Sequence, residues 1–179
     1  MSLGVAIKEA RLHRNCTQDA VGAMGFCSGK MISAIERGER QVKFDVLERI
    51  TGKLDDPRLY IEASSEITGG VFSATWLDGE AADLHRASVK DKVLEELEEA
   101  ISSIGTIKTY RKPETCSQED VQAVYQSIQQ AIDAFDASAI YIAVICNEYG
   151  LDIKDMFKEH KIKLLEKKYI KKEPSGKGL

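Results

Sequence analysis

The sequence predicts an all-α protein. Three observations carry this: only three prolines occur in 179 residues, apolar side chains recur three and four apart instead of alternating, and capping residues stand where those periodic stretches begin. A chain of this length holds one large or two small domains. The expected order is an N-terminal helical domain over 1–67, a docked linker over 68–82, a helical bundle over 83–170 and a basic tail over 171–179.

Leu3 to Arg11 is expected to form the first helix, with Leu3, Ile7 and Ala10 inward. Thr17 caps a second helix running to about Met24, its hydroxyl satisfying an otherwise orphan amide. Gly25 is placed to let the chain leave with positive φ, and Phe26-Cys27 to plug the turn. Ser28 caps the third helix. There Met31, Ile32 and Ile35 can face the core, while Ser28, Gly29, Lys30 and Ser33 fall on the other side. Phe44 to Ile50 continues as a fourth helix.

The stretch Thr17 to Gly38, TQDAVGAMGFCSGKMISAIERG, resembles the helix-turn-helix of Cro and lambda-repressor type regulators, the XRE family. Its Thr-Gln opening, turn length and Ile-Glu-Arg-Gly ending agree in register, and the resemblance covers roughly residues 3 to 67. It implies a five-helix helix-turn-helix domain whose second motif helix enters the major groove, N-terminal residues toward the base edges. The implied DNA-binding residues are the groove readers Ser28, Gly29, Lys30 and Ser33; Gln18, which would reach a phosphate or help orient the recognition helix; and Lys30, Arg37, Arg40 and Lys43 on phosphates. Glu36 corresponds to the family glutamate that fixes the motif. Gly29 stands where the family often carries a side chain, and Gly22 where it usually carries alanine. Because glycine weakens a helix by about 1 kcal/mol against alanine, a less stable domain, or one reading fewer bases, is expected.

A net charge of −4 does not fit a non-specific nucleic-acid coat. Charge is segregated, however: Ser28 to Lys43 holds four basic and two acidic residues, Asp91 to Glu99 five acidic and one basic. Local field decides whether a groove-sized patch attracts phosphate. Cys16, Cys27, Cys116 and Cys146 show neither a close pair nor Cys-x-x-Cys spacing, so no disulfide framework or zinc site is expected. His13, His85 and His160 lie far apart, and no catalytic residue, metal or cofactor is implied. With no apolar run near twenty residues and no leader, the expected location is cytoplasmic, away from membranes.

Between the domains, glycine signals break helical continuity, yet Val71, Phe72, Trp76 and Leu77 are too apolar for a free linker. The segment is expected to dock, with Trp76 as the anchor between the domains or, alternatively, as a small-ligand contact. Beyond it, Val89, Val93, Leu97, Ala100, Ile101 and Ile104 form one apolar stripe ending at Gly105. Ser117 and Asp120 suit a helix-starting cap. From Val121 through Val124, Ile128, Ala131, Phe135, Ser138 and Ile142 to Tyr149 the spacing stays near a heptad, which suits a bundle or a dimer seam. Gly150 stops that helix and Asp152 starts another. The lysine-rich end, Lys161 to Lys177, is expected to be a solubilising tail.

Glu95-Glu96-Leu97-Glu98-Glu99, with Asp133-Ala134-Phe135-Asp136, faintly resembles the pattern of MazG-like all-α nucleotide pyrophosphohydrolases. That resemblance implies Glu96, Glu99, Asp133 and Asp136 around Mg²⁺. Against it, Asp133 replaces a glutamate, Glu98 replaces a small residue, and no basic phosphate motif accompanies the acids. The principal expectation is a non-enzymatic, sequence-specific transcriptional regulator, a repressor of bacterial, phage or mobile-element genes. Its partners would be double-stranded DNA, a second copy bound through the C-terminal helices, and a protein or small-molecule effector. A pyrophosphohydrolase, or an antitoxin-like interaction module with autoregulatory DNA binding, is the alternative.

Overall fold

Capping side chains set where the helices begin. The computed structural model describes residues 3–77, 79–108 and 112–171. Its N-terminal helices are α1 (Leu3–His13), α2 (Gln18–Met24), α3 (Gly29–Glu36), α4 (Phe44–Leu54) and α5 (Pro57–Thr68). The Ala20 N–H donates to Thr17 Oγ1 at 3.1 Å, Met31 N–H to Ser28 Oγ at 3.2 Å and Leu59 N–H to Asp56 Oδ1 at 3.0 Å. Each bond satisfies one helix-end donor and is worth about 1 kcal/mol. Pro57 opens α5, where its missing N–H costs nothing. Ile7, Val21, Ile32, Ile50, Leu54 and Leu59, drawn from all five helices, are fully buried in one core.

The C-terminal half comprises α6 (Arg86–Thr106), a 3-10 turn at Pro113–Thr115, α7 (Gln118–Tyr149) and α8 (Ile153–Glu166). Ser117 and Asp120 form a reciprocal capping box at the start of α7. Gly150 ends it at φ 63, a left-handed conformation that costs glycine little. The fold is all-helical, with no strand among the described residues. Helices α6 and α7 pack as an antiparallel hairpin: Arg86 at the start of α6 donates to Glu148 near the end of α7 at 3.2 Å.

The linker docks through a narrower set of residues than its composition suggests. Trp76 packs with Ile61 of α5 against Val89, Ile140 and Val144, and the Arg58 guanidinium lies 5.2 Å from the Trp76 ring centroid. Val71 and Phe72, by contrast, face outward, Phe72 being 93% exposed. They sit in the turn after α5, where neither half reaches them. A second tie joins the halves at α8, whose Lys154 Nζ donates to Gly52 O at 2.9 Å and lies 3.4 Å from Asp55.

The expected single stripe on α6 divides. Val89, Val93 and Ala100 are buried, but Leu97, Ile101 and Ile104 turn outward. Helix α7 divides likewise: Ile140, Ala143, Val144 and Cys146 are buried, while Val121, Ile128, Phe135 and Tyr149 are exposed. A 32-residue helix needs cover along its whole length, and one neighbour supplies only one face. Among the described residues one helix, α7, is long and apolar enough to cross a membrane by length and composition alone, with a window of mean hydropathy 1.2 that is 22% buried, as also occurs in helices of proteins that span no membrane. Asp133 and Asp136 stand midway along it, where a charge is expensive in lipid. Of the basic tail expected over 171–179, residues 172–179 lie outside the described residues.

Candidate nucleic-acid interface

Two glycines let α2 and α3 approach closely. A Cβ on Gly22 would stand 2.7 Å from Cys27 O and 2.9 Å from Gly29 N, and one on Gly29 would meet Asp19. Close packing at these positions is the structural reason for glycine there. It also corrects one assignment: Gly29 is buried against α2 and does not face outward as a groove reader. In the turn itself, Gly25 has φ −88, and the left-handed residue is Phe26 at φ 52. Phe26 is 81% exposed, with the Arg49 guanidinium 5.0 Å from its ring centroid. Only Cys27 packs against the core, so the turn's apolar plug is half the size expected. Burial pushes the Cys27 thiol up.

Behind α3, a buried polar knot fixes its orientation. Arg11 Nε donates to Glu36 Oε1 at 2.6 Å and its NH2 group to Oε2 at 3.0 Å, while Gln18 Nε2 donates to Oε2 at 2.8 Å. A third Arg11 bond, to Cys16 O at 3.1 Å, joins the α1–α2 connection to the same knot. Burial alone would push the Glu36 carboxyl up. The bonds from Arg11 and Gln18, with the charges of Arg11 and Lys8, more than offset that and hold it below the usual carboxylate range. Bidentate guanidinium–carboxylate geometry is the strong form of this contact. Gln18 therefore serves α3 from within the motif, the orienting alternative to a phosphate contact.

The outer face carries the remaining residues. Ser28, Lys30, Arg37, Arg40 and Lys43 are exposed and Ser33 is half-buried. Ser28 Oγ is occupied by the Met31 amide, which limits its lone pairs for a base edge. Arg37 donates to Ser33 Oγ and, through Nε and NH2, to both Glu39 oxygens at 2.7 Å. Lys43 precedes α4 with no side-chain cap of its own. Lys30 on α3, and Arg40 and Lys43 between α3 and α4, are thus exposed cations beside a helix whose apolar side is in the core.

No family model, curated protein or solved structure matches the chain.

The acidic residues of the C-terminal half are engaged with neighbouring side chains. Lys92 Nζ lies 2.7 Å from Glu96 and 2.9 Å from Glu95, bonds that hold its ammonium above the ordinary lysine range. Burial pushes the Asp136 carboxyl up, against opposing hydrogen bonds from the Thr75 N–H and hydroxyl. Asp136 therefore ties the linker to α7. Glu99 is exposed, outside the cavity of about 590 Å³ that Glu95, Glu96, Asp133 and Asp136 border. Among the described residues no group of three or more His, Cys, Asp or Glu side chains is placed to hold a metal. Cys16, Cys27, Cys116 and Cys146 are all free thiols.

Proposed function

We propose that the chain is a sequence-specific DNA-binding transcriptional regulator that reads the major groove with α3. The observation carrying this reading is the division of α3 itself: a buried knot at Glu36 and a core-facing side behind, an exposed cationic and hydroxylic face in front. A helix bound for the groove must arrive rigid, because ordering it on contact costs affinity. Lys30 and Ser33 are assigned to base edges or nearby phosphates, Arg40 and Lys43 to the backbone on either side. Arg37 is half-committed to Glu39 and exchanges that partner for a phosphate on binding. An overall negative surface disfavours sequence-independent binding and leaves specificity to these contacts. Repression of bacterial, phage or mobile-element genes from a palindromic operator is the regulatory form proposed.

The test is selection of bound sequences from a random duplex pool at about 150 mM salt, where purely electrostatic binding is weak. An inverted repeat with half-sites about one helical turn apart is the expected product. Lys30→Ala should relax preference within the half-site. Arg40→Ala and Lys43→Ala should weaken all sequences alike, each lowering the log-affinity against log-salt slope by about 1. Folded, homogeneous protein that enriches no sequence would remove this function.

A further inference from the structure

Away from the Val89–Ile140–Val144 cluster, helices α6 and α7 turn their large apolar side chains outward. Buried positions of the pair include Val93, Ala100, Ser127 and Ala134, which are small. Outside, α7 presents Val121, Tyr125, Ile128, Ile132 and Phe135, each about half exposed, as a continuous stripe at three- and four-residue steps. Alongside it α6 presents Leu94, Leu97, Ile101 and Ile104, with Ile101 71% exposed. Nine such side chains leave roughly 800 Å² of apolar surface, more than a monomer of this size ordinarily carries and the share each partner gives to a standard interface.

Charge decides what covers it. Between Asp120 and Asp133, α7 carries no charged residue, and its polar positions are four glutamines and Ser127. Amides on such a face can hydrogen-bond their own copies without like-charge repulsion. The α6 stripe is bordered by Glu95, Glu98 and Glu99, so two α6 helices brought face to face would oppose carboxylates. The centre of a symmetric contact therefore falls on α7 and the rim on α6. Antiparallel pairing sets opposite helix dipole ends side by side, whereas parallel pairing would align them.

We propose that residues 121–135 of α7 pack antiparallel against the same residues of a second copy of this chain, about a twofold axis near Ile128, with residues 94–104 of α6 completing a four-helix bundle. This narrows the seam to the N-terminal half of α7, since Ile140, Val144 and Trp76 are used within one chain. The dimer would present two α3 helices to an operator, but its existence is independent of the DNA reading.

The test is sedimentation equilibrium of the full chain without DNA, at about 1 to 50 µM. The expected mass is twice the 19.9 kDa of one chain. Paired replacement Ile128→Glu with Ile132→Glu should give a monomer of unchanged helical circular dichroism, while Val71→Glu, on an exposed residue outside the stripe, should stay dimeric. A milder variant removes dependence on folding: Ile128→Cys should form an interchain disulfide under copper-phenanthroline, and Val121→Cys should not exceed the unmodified chain. Linkage at both positions would mean parallel pairing and overturn the proposed axis. A wild-type monomer at the upper concentration, a dimer unaffected by the glutamates, or a monomer that instead partitions onto phosphatidylcholine vesicles would each overturn the proposal.

Discussion

Glu36 is the residue on which the attitude of α3 depends. It is 8% exposed and takes three hydrogen bonds from two helices. Replacing it by glutamine leaves the Arg11 guanidinium without an anion in a largely desolvated site, and Glu36→Gln should cost about 3 kcal/mol at pH 7. Because its folded pKa lies below the unfolded value, the ionised form stabilises the fold. That stabilisation is fully present above about pH 4.3, the ordinary glutamate value, and is lost as pH falls through the lower folded value. Urea midpoints across this range should therefore fall more steeply for wild type than for Glu36→Gln, and parallel curves would contradict the assignment. Gly22 makes the same point about backbone. Alanine there gains about 1 kcal/mol of helix propensity, but its Cβ would meet backbone atoms of Cys27, Ser28 and Gly29 within 3.0 Å. Overpacking costs about 1 to 3 kcal/mol, so Gly22→Ala should lower the thermal midpoint; a rise would mean the α2–α3 approach is slack.

At the scale of elements, the linker behaves as a latch with one bolt. Trp76 reaches the Ile61, Val89, Ile140 and Val144 cluster and lies beside Arg58, while Thr75 bonds Asp136. Trp76→Phe keeps an apolar ring and should cost about 1 kcal/mol, whereas Trp76→Ala should cost about 3 kcal/mol and loosen the α5–α7 contact. Differential scanning calorimetry checks this: one transition is expected for wild type and two for Trp76→Ala. Element boundaries were legible in the sequence because caps are local chemistry, and Thr17, Ser28, Ser117, Gly150 and Asp152 each act where their residue types indicate. The anchor role of Trp76 was legible for a similar reason, since so large a ring between glycine-rich turns needs cover. Which face of a helix is inward was less legible. Leu97 and Ile128 have the periodicity of core residues, and periodicity reports that a stripe exists without saying whether the same chain covers it. Gly29 was misplaced because close helix approach depends on the opposite helix, and which of its two expected roles Gln18 takes was not legible because its acceptor, Glu36, lies eighteen positions away.

For the whole molecule, the two halves are held by unequal means. The N-terminal core encloses six large side chains almost completely, from five helices. The distal part of the α6–α7 hairpin buries mainly Val93, Ala100, Ser127 and Ala134, smaller side chains that hold it less firmly than the N-terminal core. If a second copy supplies the missing cover, hairpin stability must vary with concentration while that of α1 to α5 does not. Native-state hydrogen exchange read by helix separates these terms. Amides of α1, α3 and α4 should be protected to the same degree at about 1 and 50 µM, whereas those of Leu94–Ile104 and Val121–Phe135 should gain protection severalfold, up to the roughly sevenfold that the square root of a 50-fold concentration step allows. Equal protection of the hairpin at both concentrations would place its stability within the single chain and leave the apolar stripe to some other partner.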